Sequence, residues 1–288
     1  MGKPDATRDI TFPEKSFLGT KMIIDVHTHI FPDHIAANAV KFLAEEADVP
    51  AFTGGKKSDL LDSMRQAGIG QSWLQPVATK PKQVDSINQM MKDIQAEGDP
   101  ALVPFGAMHP DYENLPAMIR DLSAHGIPGI KIHPEYHQIS PLDERLFPLY
   151  EALIEENMAI LYHAGIDIGI PTLNSTPHVF AQLNDRYPQL ILILAHMGGF
   201  RQWYDVFKDL AGRDVYLDTS YLVGLSDESF ITLARAHGMD KVVFGTDSPW
   251  SDQKTAVEHF QSLALTEEEK QRIFHDNAAA LLTKLRGE

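Results

Sequence analysis

Short apolar runs alternate along the chain with longer stretches whose apolar positions recur every three or four residues. The first run, residues 22–29, reads Met-Ile-Ile-Asp-Val-His-Thr-His, with four apolar side chains in its first five positions and two histidines two apart at its end. That pattern predicts a buried strand, and strand alternation puts His27 and His29 on one face with Asp25 deeper on the same face. Further strands are predicted over 72–77, 102–108, 129–133, 159–163, 190–196, 215–220 and 241–247. Helical spacing covers 81–97, 113–125, 144–157, 177–187, 202–211 and 227–237, with a short stripe at Ile35, Val40, Leu43 and Ala44 and a helix ending near Gly68. Two more helices close the chain, and Thr266 followed three residues on by Glu269 is a capping box.

Eight strands, each followed by a helix, predict an α/β fold, and the run Leu190-Ile191-Leu192-Ile193-Leu194 is too continuously apolar for a sheet with one wet face. The expected architecture is a single-domain (β/α)8 TIM barrel over residues 22–288, preceded by an N-terminal arm at 1–21. A doubly wound open sheet is the alternative, but histidines stand where its glycine-rich phosphate loop would follow the first strand.

Composition narrows the function more than the fold. With 43% hydrophobic and 23% charged residues in 288, the chain is an ordinary globular one. It has no apolar run of about 18 residues and no apolar core of a signal peptide at its start, so a cytoplasmic protein is expected. A net charge of −15 argues against nucleic-acid or membrane partners and leaves a small-molecule substrate; assembly into a homo-oligomer is compatible with it. There is no cysteine, so a metal would be held by nitrogen and oxygen ligands.

In a TIM barrel the chemistry collects at the C-terminal strand ends. The polar residues predicted there are His27 and His29 on strand 1, Lys131 and His133 on strand 4, His163 on strand 5, His196 on strand 6 and Asp247 on strand 8. That ordered set resembles the amidohydrolase superfamily, and within it the amidohydrolase-related branch that includes aminocarboxymuconate-semialdehyde decarboxylase and related aromatic-acid decarboxylases. The resemblance runs from Met22 to Leu282. It implies that His27, His29, His163 and Asp247 bind one divalent metal ion, usually zinc, and that His196 stands near it in catalysis.

A metal held this way lowers the pKa of bound water to about 7, with Asp247 placed to take the proton and His196 to act as acid or base. The expected activity is therefore a metal-dependent hydrolase of a small amide, ester or lactone. A lyase, the decarboxylase of an unsaturated or aromatic acid with His196 as proton source, is the alternative. Arg201, His133 and Trp250 are expected to touch substrate, Arg201 as a clamp for a carboxylate. Lys131 is a candidate bridging ligand if carboxylated, or a partner for an interior carboxylate, and Asp25 is expected to orient the first histidines. His109 and Tyr136 are weaker candidates, and no role is expected for His34, His125, His237 or His275.

Overall fold

The computed structural model describes residues 22–288; the arm expected over 1–21 lies outside the described residues. Eight parallel strands run β1 Ile23–Thr28, β2 Ile69–Leu74, β3 in two halves Leu102–Pro104 and Gly106–Ala107, β4 Gly129–Ile132, β5 Ala159–Tyr162, β6 Ile191–Leu194, β7 Tyr216–Asp218 and β8 Val242–Val243. Each pairs in parallel with the next, apart from the break inside β3 at Phe105. The chain after β8 returns to β1: Val26 N donates to Phe244 O at 2.9 Å, Asp247 N to His27 O at 2.8 Å and His29 N to Ser248 O at 2.7 Å. With those bonds the eight strands form a (β/α)8 barrel, as the strand count predicts.

Most regular strands are shorter than the runs expected for them, and β2, expected over 72–77, is paired three residues earlier, over Ile69–Leu74. Only two residues of the predicted 241–247 run are ladder-paired, and at the end of the run Asp247 adopts φ 70°. Leu161 and Ile193 pair in register with Lys131, so they share its inward face. They join Ile24, Val26, Trp73, Phe105 and Val243 in a cluster closed by Ala278, Leu281 and Leu285 of the C-terminal helix Asn277–Arg286. Residues on the opposite faces, such as Ile130, Ile160 and Leu192, meet the surrounding helices in the larger core.

The two helices nearest the site are α1 Ala36–Ala47, whose buried residues are Ala36 and Val40, and, beyond α2 Lys57–Ala67, helix α3 Val84–Glu97. The capping box at Thr266 and Glu269 forms as predicted. No described helix is long and apolar enough to cross a membrane.

One glycine sets the spacing of the rim. Gly165 has φ 89°, and a Cβ there would lie 2.2 Å from Phe200 N, so only glycine lets the loop after β5 run beside the loop after β6. This is how His163 and His196 come together.

A second anchor is Glu135, in the helical turn Pro134–His137 that follows β4. Its fully buried carboxylate accepts hydrogen bonds from Thr172 Oγ1, Asn174 N and Nδ2, and Ser175 N and Oγ, at 2.7–3.1 Å. These bonds tie down the loop that carries Asp167 to the rim. Glu135→Ala would remove the acceptor of five donors, of which Ser175 N and Oγ are buried, and this is expected to cost on the order of 2–4 kcal/mol and lower Tm by roughly 5–10 °C. Thermal unfolding of the variant tests this, and an unchanged Tm would show that the loop is held by other contacts.

Candidate metal centre

The centre is built from strand ends upward. His27 is the last residue but one of β1 and His29 follows that strand, while Asp247 lies four residues beyond β8 and is held against β1 by its own N–H. Asp247 Oδ1 lies 3.0 Å from His29 Nε2 and 3.4 Å from His27 Nε2. The far nitrogens decide what those contacts are. His29 Nδ1 donates to the carbonyl of Gln75 at 2.6 Å, and His27 Nδ1 donates to Asp218 Oδ2 at 2.8 Å. Each ring therefore carries a proton on Nδ1 and turns Nε2 toward a carboxylate oxygen. Two imidazole nitrogens and a carboxylate oxygen converging in this way are a donor set that suits a divalent ion.

A second chain of imidazoles leads to the same conclusion for His163. His196 Nδ1 donates to the carbonyl of Ser220 at 2.9 Å, so its Nε2 is an acceptor. His163 Nδ1, 3.2 Å away, must then be the donor, which leaves His163 Nε2 unprotonated. That nitrogen is buried and has no hydrogen-bond partner. A buried acceptor with nothing to accept is costly, and an ion would use it. His27, His29 and Asp247 form one converging trio, whereas His163, expected to share their ion, belongs to a second group with His133 and Asp167. His133 stacks on His163 with ring centroids 4.0 Å apart and planes 13° apart, so in this arrangement their in-plane lone pairs cannot meet at one ion. His133 Nε2 instead faces Asp167 Oδ2 at 3.3 Å.

Lys131 reaches up from β4 to put Nζ 3.2 Å from His27 Nε2. Burial pulls its pKa down to about 8. Asp25 accepts from His27 N and Thr246 N, and from Thr246 Oγ1 and Gln253 Nε2, at 2.6–3.1 Å. It thus acts on the backbone of His27 and not on either ring. A register shift between β1 and β2 falls between Asp25 and Thr28, which is why simple alternation along the strand does not describe its surroundings. Both His196 (φ 58°) and Asp247 (φ 70°) sit in the left-handed region, a cost of about 1–3 kcal/mol for each that the surrounding fold must offset.

Above this floor is a cavity of about 1110 Å³. Trp250, Tyr136, Phe200 and Tyr221 wall it, and His133, His163, His196, Lys131 and Asp247 open into it. Arg201 stands elsewhere: it is exposed, its guanidinium lies 5.1 Å from the Phe200 ring, and it is not among the lining residues. His109 is buried against His137, ring centroids 4.7 Å apart, away from the cavity.

Three contributors escaped the sequence reading. Asp218 ends β7, a predicted strand, and its place as the next strand-end carboxylate was a usable signal. Glu135 and Asp167 are on loops whose course depends on tertiary contacts, so no local pattern marks them.

The buried groups set a pH dependence. Burial lowers His27 to about 4, and it holds His133 and His163 well below the ordinary histidine value. Between about pH 6.5 and 4 the unfolded chain binds protons that these three folded rings refuse, so stability falls as pH falls through that window. Asp25 opposes this, because burial raises it to about 7 and the folded state keeps its proton. Burial also lowers His137 and His237 and raises Asp167, so the lowered rings still outnumber the raised carboxyls. Chelator-treated protein is therefore expected to lose several degrees of Tm between pH 6.5 and 4.5, and a melting temperature that is flat or rises on acidification would contradict it.

A parallel barrel with converging imidazole and carboxylate groups at its strand ends defines the class: a barrel protein whose rim carries a donor set suited to a divalent cation under a deep cavity. The chain belongs to the amidohydrolase family, whose sequence model (Amidohydro_2, amidohydrolase) matches residues 24–284. None of the curated proteins matches it. Among solved structures it is similar to an uncharacterized TIM-barrel protein from Bordetella bronchiseptica (20% identity, TM-score 0.75, covering 93% of this chain and 100% of that one). It is also similar to 5-carboxyvanillate decarboxylase from Sphingomonas paucimobilis (15% identity, TM-score 0.70, 91% and 98%). A third is dihydroxybenzoic acid decarboxylase from Polaromonas sp. JS666, solved with manganese and the inhibitor 2-nitroresorcinol (16% identity, TM-score 0.64, 91% and 97%). These likenesses establish the fold.

Proposed function

We propose that the protein is a metal-dependent decarboxylase of an aromatic carboxylic acid, a small-molecule substrate. The observation that carries the reading is the pairing of a cationic floor, Lys131 beside the His27–His29–Asp247 trio, with aromatic walls at Trp250, Tyr136, Phe200 and Tyr221. A carboxylate fits the first and its ring the second. The activities named for two similar structures support a decarboxylase above the hydrolase expected from the motifs.

His27, His29, His163 and Asp247 would hold the ion. Bound there, a divalent ion supplies positive charge to the substrate carboxylate and its neighbouring oxygen. Imidazole-rich donors fit zinc, the ion expected from the sequence, and the same nitrogen and oxygen set accepts manganese, the ion found in the Polaromonas relative.

In the reaction the ring–carboxyl bond breaks, its electron pair stays on the ring carbon, carbon dioxide leaves and a proton takes the vacated position. His196 is the proton carrier in this reading: its Nδ1–H is fixed by Ser220, and a proton taken up at Nε2 displaces the bond from His163 and faces the cavity. Lys131 orients the carboxylate by charge. The aromatic walls exclude water, which would otherwise solvate the carboxylate and compete for the ion. Turnover of a 2-hydroxybenzoate in deuterium oxide tests the proposal: deuterium at the carbon that bore the carboxyl supports it, and unchanged substrate alongside cleavage of an ester or lactone would support the hydrolase.

A further inference from the structure

The cavity is much larger than the proposed reaction needs. At about 1110 Å³ it exceeds the roughly 300–1,000 Å³ that encloses a drug-sized ligand, whereas a hydroxybenzoate has only about ten non-hydrogen atoms. The surplus space lies away from the floor, between α1 and α3. Ala39, Phe42 and Leu43 line it from α1, and Ile87 and Met90 from α3. Ile87 and Met90 also pack partly against the core, whereas Ala39, Phe42 and Leu43 belong to no core cluster, α1 burying Ala36 and Val40 instead. Phe42 is left 63% exposed. Apolar side chains of α1 turned to a cavity and away from the core point to a ligand.

Charge along the cavity gives it a direction. At the inner end Lys131, the only lysine or arginine among the described lining residues, stands with Asp167 and Asp247, and α1 and α3 contribute Glu46 and Asp93 farther out. With a divalent ion at the floor, as the proposed function has it, an anionic group is favoured at the inner end and disfavoured at the outer one.

We infer that the substrate is an aromatic acid bearing an uncharged apolar substituent of several carbons, which lies between α1 and α3 while the carboxylate faces Lys131. The inference rests on the proposed reading of the floor as the carboxylate site.

Calorimetric titration of the full-length, manganese-loaded protein with 2-hydroxybenzoate and its 5-alkyl derivatives from methyl to hexyl tests it. Affinity is expected to rise about three- to fourfold per added methylene over the first carbons, the increment for burying a CH₂ in an apolar site. In a Leu43→Asp, Met90→Asp double variant that slope, taken relative to the variant's own affinity for unsubstituted 2-hydroxybenzoate, should collapse. A flat series in the unmodified protein overturns the inference. A flat series accompanied by dimerisation in sedimentation, lost in the double variant, would assign these side chains to a second copy of the chain instead. A chain-length slope without turnover of any member upholds the tail site and overturns decarboxylation; turnover of the unsubstituted acid with a flat series does the reverse. Absence of binding by every member overturns both.

Discussion

Asp247→Asn is expected to lower kcat by at least about 10³-fold and to weaken divalent metal binding by more than about 100-fold, in a barrel that remains folded. Asp247 is the one anion of the converging trio, with Oδ1 3.0 Å from His29 Nε2 and 3.4 Å from His27 Nε2. The amide keeps the size and an oxygen but loses the charge, and its NH₂ can donate to the imidazole nitrogens that would otherwise hold the ion. The loss is therefore double: a weaker ligand, and a neutral group that stabilises the empty arrangement. Metal content after dialysis, measured beside kcat, tests both parts. Full occupancy with a rate near the unmodified protein's would remove Asp247 from the centre.

The second large effect is expected at Asp218, which no motif singled out. Its carboxylate fixes the His27 tautomer at 2.8 Å and also accepts from His196 N and Ser220 N, each at 3.0 Å. Burial on its own would raise its pKa, but the imidazoles of His27 and His196 and the bonds from His27 and Ser220 bring it down to about 2. It is thus an anion at every working pH, and it makes the His27 Nε2 lone pair more basic. Asp218→Asn is expected to reduce metal affinity about 10- to 100-fold, with kcat largely recovered when the metal is in excess. That recovery separates it from Asp247→Asn, where saturating metal should not restore the rate. If excess metal fails to rescue Asp218→Asn, the carboxylate has a part in the reaction itself.

How far these conclusions could be read from the chain differs between levels. Most strands were legible because a barrel strand buried on both faces needs an apolar run, as at Ile191–Leu194; β2, Ile69–Leu74, with Gly70, Gln71 and Ser72 inside it, breaks that pattern and lies three residues before the run expected over 72–77. Strand-end chemistry was legible for the same reason: a polar residue closing such a run, as His163 closes Ala159–Tyr162, has few places to go but the rim. What lay beyond reading were the relations between strands. The shift in β1–β2 pairing changes what Asp25 touches, the tautomers of His27 and His163 are set by groups 191 and 33 residues away, and Glu135 earns its role only once the loop at 172–175 folds back on it. Arg201 shows the converse. Its position after Gly198-Gly199 suggested an anion clamp, but its side chain lies outward over Phe200, and Lys131 supplies the cation inside the cavity. The choice between hydrolase and decarboxylase had no sequence signal, since both chemistries use the same ligands and differ only in what the cavity presents to them.

The most direct measurement of that choice is the carbon product of the manganese-loaded protein, followed against a panel of 2-hydroxybenzoates and, in parallel, small lactones, esters and amides. The account expects carbon dioxide or bicarbonate to appear in equal amount with the decarboxylated phenol, and no new carboxylate from the second set. A new carboxylate from a lactone, ester or amide, with the hydroxybenzoates untouched, would contradict it.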